Sequence, residues 1–372
     1  MNQKIQWWAP QTGAAEYDLV KQVLDSNYLN EGQVTQLFEE RLASLLGTKH
    51  VVAVTSGTSA IFLALGGLGI GVGDEVIVPD MTFIATANAV TMTGARPVLV
   101  DVDSATLNMD PEALLRAITP RTKAVVPVHV SGRAANLAAI MEIARQHGLH
   151  VVEDAAEAFM SRLDSKCLGT FGIAGCISFS PNKTITTGQG GVVLTDDDNL
   201  YHRLRELKDQ GRPVRGTGGD DVHHSVGYNF KFTNVQAAIG LGQLTYLESR
   251  LARMRDIYQW YAVGLSGLDG ISLPGFQLER GECPLWTDAL VEQRDTLDRY
   301  LASNGIDCRR FWFPIHTQPP YRMSDDTLPN STRLSRKALW LPSAFTLSEG
   351  DIAFVCRHVR QFLGAPVEVA IA

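Results

Sequence analysis

The chain has 372 residues, of which 45% are hydrophobic and 20% are charged, a composition typical of globular proteins with a large core. The formal net charge of -7 and the lack of a long basic run give no electrostatic support for nucleic-acid binding. Five scattered cysteines without a C-x-x-C pair argue against a zinc site or a disulfide framework and favour a reducing compartment. No signal peptide and no membrane-spanning apolar run are visible, so we expect a cytoplasmic protein without membrane association.

The first half of the chain alternates between helices and short apolar strands. Helices are predicted at about 14–24 and 34–45, with Gly47 placed to cap the second helix. The strands that follow are predicted at 51–54, 75–78, 97–100, 124–126 and 150–152, and the helices between and after them at 59–65, 84–92, 111–118 and 136–147. This alternation predicts a mostly parallel sheet covered by helices, with a ligand site at the carboxyl ends of the strands.

The second half of the chain predicts a pair of strands and then a smaller domain. Strands at 176–179 and 191–195 are expected to pair, and a helix at 200–208 leads to an exposed loop at 211–228 that could order over a site. One long helix, starting after Thr233 with leucines on one face as far as Leu251, is expected to link the two domains. The predicted small-domain elements are strands at 287–291 and 306–311 and helices at 294–303 and from Ser348, where a capping box stands. We therefore expect a large α/β domain at 1–245 and a small α+β domain at 246–372.

Lys183 stands between the two paired strands, in the segment FGIAGCISFSPNKTITTGQGGVVLT at 171–195. Turn-forming residues flank it on both sides. A lysine held on a tight connection at the end of buried strands loses part of its hydration, which lowers the pKa of the ammonium group and lets the neutral amine form a Schiff base. A solvated hairpin lysine is the ordinary alternative, and only the rest of the chain can decide between the two.

Two further positions suit a cofactor that carries a phosphate and a charged ring. The segment Ser56-Gly57-Thr58-Ser59 lies where a strand becomes a helix, and free N–H groups there favour a phosphate. The alternative is a simple helix N-cap, which needs only Thr58 or Ser59. Asp154 closes a buried strand and needs a cationic partner, such as a protonated pyridine nitrogen, unless it caps the next helix. The glycine run at 66–73 leads from helix to strand, the reverse of a dinucleotide fingerprint, and so opposes a nucleotide-binding oxidoreductase.

Three single residues give weaker signals. Phe83 follows a predicted strand and could stack on a flat ring or simply belong to the core. His129 ends a predicted strand, and His316 stands in the segment FPIH. Either histidine could carry a proton or contact a sugar, but a structural histidine with satisfied hydrogen bonds is the more common case.

Taken together, the chain resembles the DegT-type sugar aminotransferases of pyridoxal phosphate fold type I. The resemblance covers about 29–362 and rests on segments such as VVAVTSGTSAIFLAL, VVEDAAEAF, ISFSPNKTITTGQGGVVLTDD and VGYNFKFTNVQAAIGLGQL. It implies an α/β large domain with a mostly parallel seven-stranded sheet flanked by helices, and a smaller C-terminal domain. The run around the lysine is most similar to the subgroup of sugar 4-aminotransferases that includes the GDP-perosamine synthases.

The resemblance also implies roles for individual residues toward pyridoxal 5′-phosphate. Lys183 would form the Schiff base, Asp154 would pair with the pyridine nitrogen, Glu157 would lie near the ring hydroxyl and Phe83 would stack on the ring. The residues implied at the phosphate are Gly57, Thr58 and Ser178, together with Asn229 from the neighbouring subunit of a homodimer, with Lys231 of that subunit as a further candidate. Substrate contacts are expected from His129, His316 and Tyr321.

Two positions depart from the family pattern. Glu157 is an acid where an amide is common, although some sugar 4-aminotransferases share it. Gln189 replaces the usual glutamate of the TTGEGG run, which puts any charge-dependent role of that loop in doubt.

The function implied by the resemblance is amine transfer from L-glutamate to a nucleotide-linked keto sugar, for surface polysaccharide or O-antigen (lipopolysaccharide) biosynthesis. C4 of a 4-keto-6-deoxy hexose is favoured, and a 3-keto sugar is the alternative. A non-catalytic regulatory protein that binds the cofactor is the alternative from another class, whereas a sugar dehydratase of the same fold would carry a histidine in place of Lys183. The loop at 211–228 and the segment at 309–321 are expected to select the sugar.

Overall fold

The computed structural model describes residues 4–213 and 222–366. A seven-stranded sheet dominates the first half, with the spatial strand order β1-β9-β8-β5-β4-β2-β3, and a separate two-stranded ribbon is formed by β6 and β7. The bounds of these strands are β1 His50–Val54, β2 Glu75–Pro79, β3 Arg96–Val100, β4 Thr122–Val125, β5 His150–Asp154, β6 Arg162–Leu163, β7 Lys166–Cys167, β8 Ala174–Ser178 and β9 Gly191–Thr195. Within the large sheet only β9 runs against its neighbours, β1 and β8, so the predicted mostly parallel sheet is confirmed.

Twelve α-helices occur in the described residues. They are α1 Ala14–Asp25, α2 Gln33–Leu46, α3 Gly57–Gly67, α4 Ala85–Met92, α5 Pro111–Ala117, α6 Leu137–His147, α7 Asp198–Lys208, α8 Asn234–Leu244, α9 Leu247–Gly264, α10 Arg294–Ser303, α11 Pro329–Ser335 and α12 Glu349–Phe362. The helices predicted as far as α7 are all present, and Gly47 ends α2 in the left-handed conformation with φ of 71°. A glycine is favoured there because it lacks the Cβ that opposes a positive φ.

Both faces of the large sheet are buried beneath helices. Strand residues such as Val52 and Val76 pack with α3, α4 and α7 on one face. Their neighbours point the opposite way: Val51 packs with α2 and α8, and Ile77 packs with α5 and α6. Strands covered on both faces must be apolar at every position, which is why these runs do not alternate with polar residues.

The single long helix predicted after Thr233 is wrong, because the structure has two helices there, α8 and α9. The chain turns between them, where the hydroxyl of Thr245 donates to the Gly242 carbonyl oxygen at 2.7 Å. Leu241, Leu244, Leu247 and Leu251 nevertheless all pack on one hydrophobic cluster. Their helical spacing therefore continues across the break and hides it in the sequence.

A second, four-stranded antiparallel sheet follows, in the order β10-β11-β13-β12. Its strands are β10 Ile271–Ser272, β11 Thr287–Val291, β12 Arg309–Arg310 and β13 Ala338–Leu341. The predictions of β11, α10 and α12 are confirmed. Of the strand expected at 306–311, only the two residues of β12 lie in the sheet. The sequence did not reveal β13, and the domain boundary at 245/246 stays a prediction.

The loop expected at 211–228 is described only in part, because 214–221 lie outside the described residues. Its remaining residues form neither helix nor strand. In the two described ranges, no helix combines the length and the apolar character needed to cross a bilayer.

Candidate active site

A cavity of about 360 Å³ opens where the parallel strands end. The large sheet and its connections contribute the start of α3, the segment after β2, the end of β5 and the connection between β8 and β9. The second sheet and its flanks contribute Trp286, Arg309 and Trp312. Among the residues singled out from the sequence, those that line the cavity are Gly57, Thr58, Phe83, Asp154, Glu157, Ser178, Lys183 and Gln189.

The Lys183 side chain is only 11% exposed, and its Nζ lies 3.2 Å from Oε1 of Glu157. The same Nζ lies 4.9 Å from the centre of the Trp286 ring. Backbone contacts hold the connection on both sides: the Trp8 indole N–H donates to the Pro181 carbonyl oxygen at 3.0 Å, and Arg250 donates to the Thr184 carbonyl oxygen at 3.0 Å. The geometry is therefore that of a fixed amine facing a cavity, not of a solvated hairpin lysine.

Asp154 is the last residue of β5 and is 5% exposed. Its carboxylate accepts hydrogen bonds from the Thr86 hydroxyl at 2.8 Å and from the Ala156 N–H at 3.1 Å. Burial raises the pKa of Asp154, and it makes no ion pair with any described residue. A buried carboxylate in this state would be stabilised by a cationic N–H group placed in the cavity.

Glu157 is also 5% exposed and is held from two sides. One carboxylate oxygen accepts a hydrogen bond from Nζ of Lys183, and the other accepts one from the Ser131 N–H at 3.0 Å. Burial raises the pKa of Glu157, and the positive charge of Lys183 opposes that rise. Ser131 adopts a left-handed φ of 54°, and its hydroxyl donates to Oδ1 of Asp288 on β11 at 2.7 Å.

The start of α3 forms a compact cradle against β8. Ser56 caps the helix and exchanges hydrogen bonds with Ser59 in a capping box. The first N–H groups of an α-helix have no partner inside the helix, so this end of α3 offers donors to an anion. A Cβ added at Gly57 would lie 2.9 Å from Cβ of Ser178 and would fill the cradle. The residues present therefore fit a phosphate group.

The two histidines expected to contact substrate do not reach the cavity. His129 is fully buried, with Nε2 3.0 Å from Glu153 and Nδ1 accepting the Ala135 N–H at 3.1 Å. His316 is fully buried as well, with Nδ1 2.7 Å from Oδ2 of Asp80. Neither histidine lines the cavity. Both histidines have their hydrogen bonds satisfied by protein groups in this structure, and a sugar contact from either stays a prediction.

Tyr321 and Asn229 also lie away from the cavity of their own chain. The Tyr321 hydroxyl donates to Oδ1 of Asn88 at 2.8 Å and lies 2.9 Å from the Thr91 hydroxyl, both on α4, and its expected substrate contact stays a prediction. Asn229 is exposed, and Lys231 pairs with Asp209 at 2.6 Å. A contribution of Asn229 or Lys231 to the site of a neighbouring subunit stays a prediction.

Sequence reasoning missed three residues that help to form the cavity. Thr86 supplies the hydroxyl that binds Asp154. Trp286 lies beneath Lys183, and its buried indole N–H has no acceptor among the described residues. Arg309 lines the cavity from β12, and the sequence marks it only as the start of the segment expected to select the sugar. The signal for Trp286 and Arg309 was weak, because their positions depend on how the second sheet packs against the first.

The seven-stranded sheet and the buried lysine and aspartate at its carboxyl edge define an aminotransferase of fold type I. Residues 10–360 match the model of the DegT/DnrJ/EryC1/StrS aminotransferase family, and the chain belongs to this family. Enzymes of the family depend on pyridoxal phosphate. The family and the fold implied by the sequence are thus confirmed.

Two GDP-perosamine synthases are among the proteins similar to this chain. The chain is 39% identical to the GDP-perosamine synthase of Caulobacter vibrioides over 364 residues, covering 95% of this chain and 97% of that protein. It is 36% identical to the GDP-perosamine synthase of Escherichia coli O157:H7 over 360 residues, with coverage of 95% and 97%. The crystal structure of S. venezuelae DesV in complex with a ketimine intermediate matches with a TM-score of 0.89 at 36% identity, covering 94% of this chain and 95% of that one.

Proposed function

We propose that this aminotransferase uses pyridoxal 5′-phosphate to transfer the amino group of L-glutamate to a nucleotide-linked keto sugar. The observation that carries the proposal is the placement of Lys183 and Asp154 on the walls of one cavity. The similarity to two GDP-perosamine synthases supports the nucleotide sugar as acceptor. Surface polysaccharide or O-antigen biosynthesis is the corresponding biological role.

The residues that would hold the cofactor surround the cavity. The start of α3 and Ser178 would bind the phosphate, Phe83 would cover one face of the ring, and Asp154 would keep the ring nitrogen protonated. Bound pyridoxal phosphate supplies an aldehyde that condenses with amines and a ring that withdraws electrons. The raised pKa of Asp154 supports this assignment, because a buried acid without a cation is poised to receive one.

Lys183 would act both as the amine that holds the cofactor and as a proton carrier at Nζ. Its distance of 3.2 Å from Glu157 lets the carboxylate hold the ammonium form while the lysine is free. Trp286 and Trp312 line the same cavity and would exclude water from the reacting atoms.

The position of amination and the assembly belong to the same proposal. C4 of a 4-keto-6-deoxy hexose is favoured by the two GDP-perosamine synthases, and C3 is the alternative. A homodimer with a shared site is supported by Asn229, which is exposed and does not line the cavity of its own chain. A cytoplasmic location rests on the absence of disulfides among five free cysteines.

The test is a reconstituted reaction with a panel of acceptors. The protein is loaded with pyridoxal phosphate and incubated with L-glutamate and nucleotide-linked 4-keto or 3-keto sugars, and the aminated carbon is identified by NMR. We expect a 4-amino product, and no product from Lys183→Ala, while Lys166→Ala, which changes an exposed lysine of β7, stays active.

Two outcomes would contradict the proposal. Turnover by Lys183→Ala would refute the role of the lysine. A wild-type protein that binds the cofactor but aminates no sugar would instead favour the regulatory alternative.

A further inference from the structure

The connection that carries Lys183 has little regular structure of its own. Residues 179–190 lie between β8 and β9 and form neither helix nor strand. The N–H groups of residues 184–186 donate to no backbone carbonyl oxygen within the described ranges. Buried backbone groups without such bonds need partners elsewhere in the protein. The conformation of this connection therefore depends on side chains from other elements.

Two buried side chains supply such partners, Gln243 of α8 and Arg250 of α9. Nη1 of Arg250 donates to the Thr184 carbonyl oxygen at 3.0 Å, and the Thr186 N–H donates to Oε1 of Gln243 at 3.3 Å. Nη1 of Arg250 also donates to the same Oε1 at 2.6 Å, so the two side chains form one unit. Both contacts follow Lys183 closely in the sequence. The Arg250–Gln243 pair thus holds the backbone directly after the lysine.

The same pair is attached to the N-terminal segment and to the second sheet. The Gln11 carbonyl oxygen accepts hydrogen bonds from Nη2 of Arg250 at 2.8 Å and from Nε2 of Gln243 at 2.8 Å. The guanidinium carbon of Arg250 lies 4.9 Å from the centre of the Phe345 ring, which follows β13. Trp8 packs edge-on against that ring, with 4.8 Å between the ring centres. Three distant parts of the chain therefore meet at Arg250.

The charge of Arg250 is satisfied by carbonyl and amide oxygens. Arg250 is only 3% exposed and makes no ion pair with any residue in 4–213 or 222–366. Burial lowers the pKa of Arg250, and the negative charge of Glu16 opposes that change. A buried cation is costly unless its acceptors stay in good geometry. Displacement of the Thr184 carbonyl oxygen from Arg250 should consequently be unfavourable.

We propose that Arg250 is a positioning residue that fixes the backbone beside Lys183 and thereby directs Nζ into the cavity. The inference rests on the proposed function of Lys183. Arg250 does not line the cavity, so it acts on the lysine only through the connection. A group that carries a proton must be held close to its productive position, and a misplacement of about 1 Å can lower a rate roughly 100-fold.

Arg253 of the same helix provides a matched control. It also donates to a backbone carbonyl oxygen, that of Leu347 at 2.7 Å, and its guanidinium carbon lies 5.7 Å from the centre of the Trp260 ring. Arg253 thus makes the same types of contact as Arg250, but neither of these contacts involves the connection that carries Lys183.

The first measurement is hydrogen exchange, followed by mass spectrometry, in the full-length protein without cofactor. For Arg250→Gln we expect exchange in 182–188 to be roughly 10- to 100-fold faster than in wild type, because loss of a buried charged hydrogen bond lets the connection open locally. Exchange in α12 should stay unchanged. Arg253→Gln should exchange like wild type in 182–188.

The second measurement separates positioning from binding. The protein is loaded with pyridoxal phosphate, and the absorbance of the cofactor is followed after L-glutamate is added. For Arg250→Gln we expect the maximum rate to fall roughly 10- to 100-fold, while the glutamate concentration that gives half of this rate changes less than about twofold. Arg253→Gln should match wild type in both quantities. Arg250→Lys, which keeps the charge but loses the planar fork, should fall between wild type and Arg250→Gln.

Each contrary outcome is distinct. Equal exchange in 182–188 for wild type and Arg250→Gln would overturn the inference. An equally large increase in α12 would overturn it too, because the role of Arg250 would then be merely structural. Faster local exchange with an unchanged maximum rate would refute the link to Lys183. Arg250→Lys provides the same comparisons if Arg250→Gln does not fold. If the loaded wild-type protein does not react with L-glutamate, the proposed function itself fails, whereas the exchange comparison still decides whether Arg250 holds the connection.

Discussion

Nζ of Lys183 lies 3.2 Å from Oε1 of Glu157, and both side chains are almost completely buried. The two residues come from different parts of the fold, since Lys183 lies between β8 and β9 and Glu157 follows β5. Desolvation of two charges is costly unless they are paired and hydrogen-bonded. The Ser131 N–H supplies the additional hydrogen bond to Glu157. This arrangement connects the reactive amine, through Glu157 and Ser131, to Asp288 of the second sheet.

The first prediction concerns the pH dependence that Glu157 imposes. Burial raises the pKa of Glu157, so its protonation, which removes the negative charge beside Lys183, occurs at a higher pH than for an exposed glutamate. The amine-transfer rate should therefore fall on the acid side as Glu157 is protonated. Glu157→Gln keeps a hydrogen-bonding group but cannot titrate, so this acid limb should disappear from the profile of kcat/KM against pH. An identical acid limb in wild type and variant would assign that titration to another group.

The second prediction concerns Asp154 and the stability of the protein without cofactor. Because the pKa of Asp154 is raised on folding, the folded state holds the proton more tightly than the unfolded state. Stability is consequently highest below the unfolded pKa and declines as pH rises through the folded pKa. Asp154→Asn removes this loss, so the cofactor-free variant should melt roughly 1–3 °C higher than wild type at neutral pH. The same variant should bind pyridoxal phosphate more weakly in a spectroscopic titration. Lower thermal stability of the cofactor-free variant would mean that the Asp154 charge is compensated in the folded protein.

The third prediction uses two glycines of α3. A Cβ at Gly57 would lie 2.9 Å from Ser178 Cβ, whereas nothing lies within 4 Å of a Cβ at Gly66. Gly57→Ala should therefore weaken phosphate and cofactor binding at least tenfold, measured by titration of the cofactor-free enzyme. Gly66→Ala should leave binding unchanged and stabilise the helix by about 0.5–1 kcal/mol. Equal cofactor affinity in both variants would show that the start of α3 is not the phosphate site.

The fourth prediction concerns the buried charge pair beside Ser131. Asp288 is 1% exposed and accepts hydrogen bonds at 2.7 Å from Arg133, from Ser131 and from the Trp340 indole N–H. Asp288→Asn leaves the Arg133 charge buried without its partner and should lower the free energy of unfolding by about 3 kcal/mol.

Urea denaturation checks this prediction. Glu142→Gln serves as the control, because it breaks the surface pair of Glu142 with Arg145 on α6 and should leave the unfolding midpoint unchanged. A similar midpoint for the two variants would indicate that water replaces Asp288 as the partner of Arg133.

Much of the large sheet could be predicted from the sequence, because buried parallel strands produce uninterrupted apolar runs. The break between α8 and α9 could not, since Leu244 and Leu247 keep helical spacing across it. The positions of Lys183 and Asp154 at strand ends followed from the alternation of strands and helices. The burial of His129 and His316 could not be predicted, because a histidine in a ligand site and a histidine bonded to a buried acid have the same sequence signature. The position of Arg309 at the cavity likewise depends on how the second sheet packs against the first.

The reversed direction of β9 determines what kind of segment can carry the amine. Since β9 runs antiparallel beside β8, with Ser178 opposite Gly191, the chain re-enters the sheet at the same end of the strands at which β8 leaves it. A parallel neighbour would have required a crossover to the opposite end of the strands, usually through a helix. The residues between β8 and β9 therefore do not have to span the sheet. Insertions or deletions among them could change the shape of the cavity entrance for different sugars while β8 and β9 stay in place.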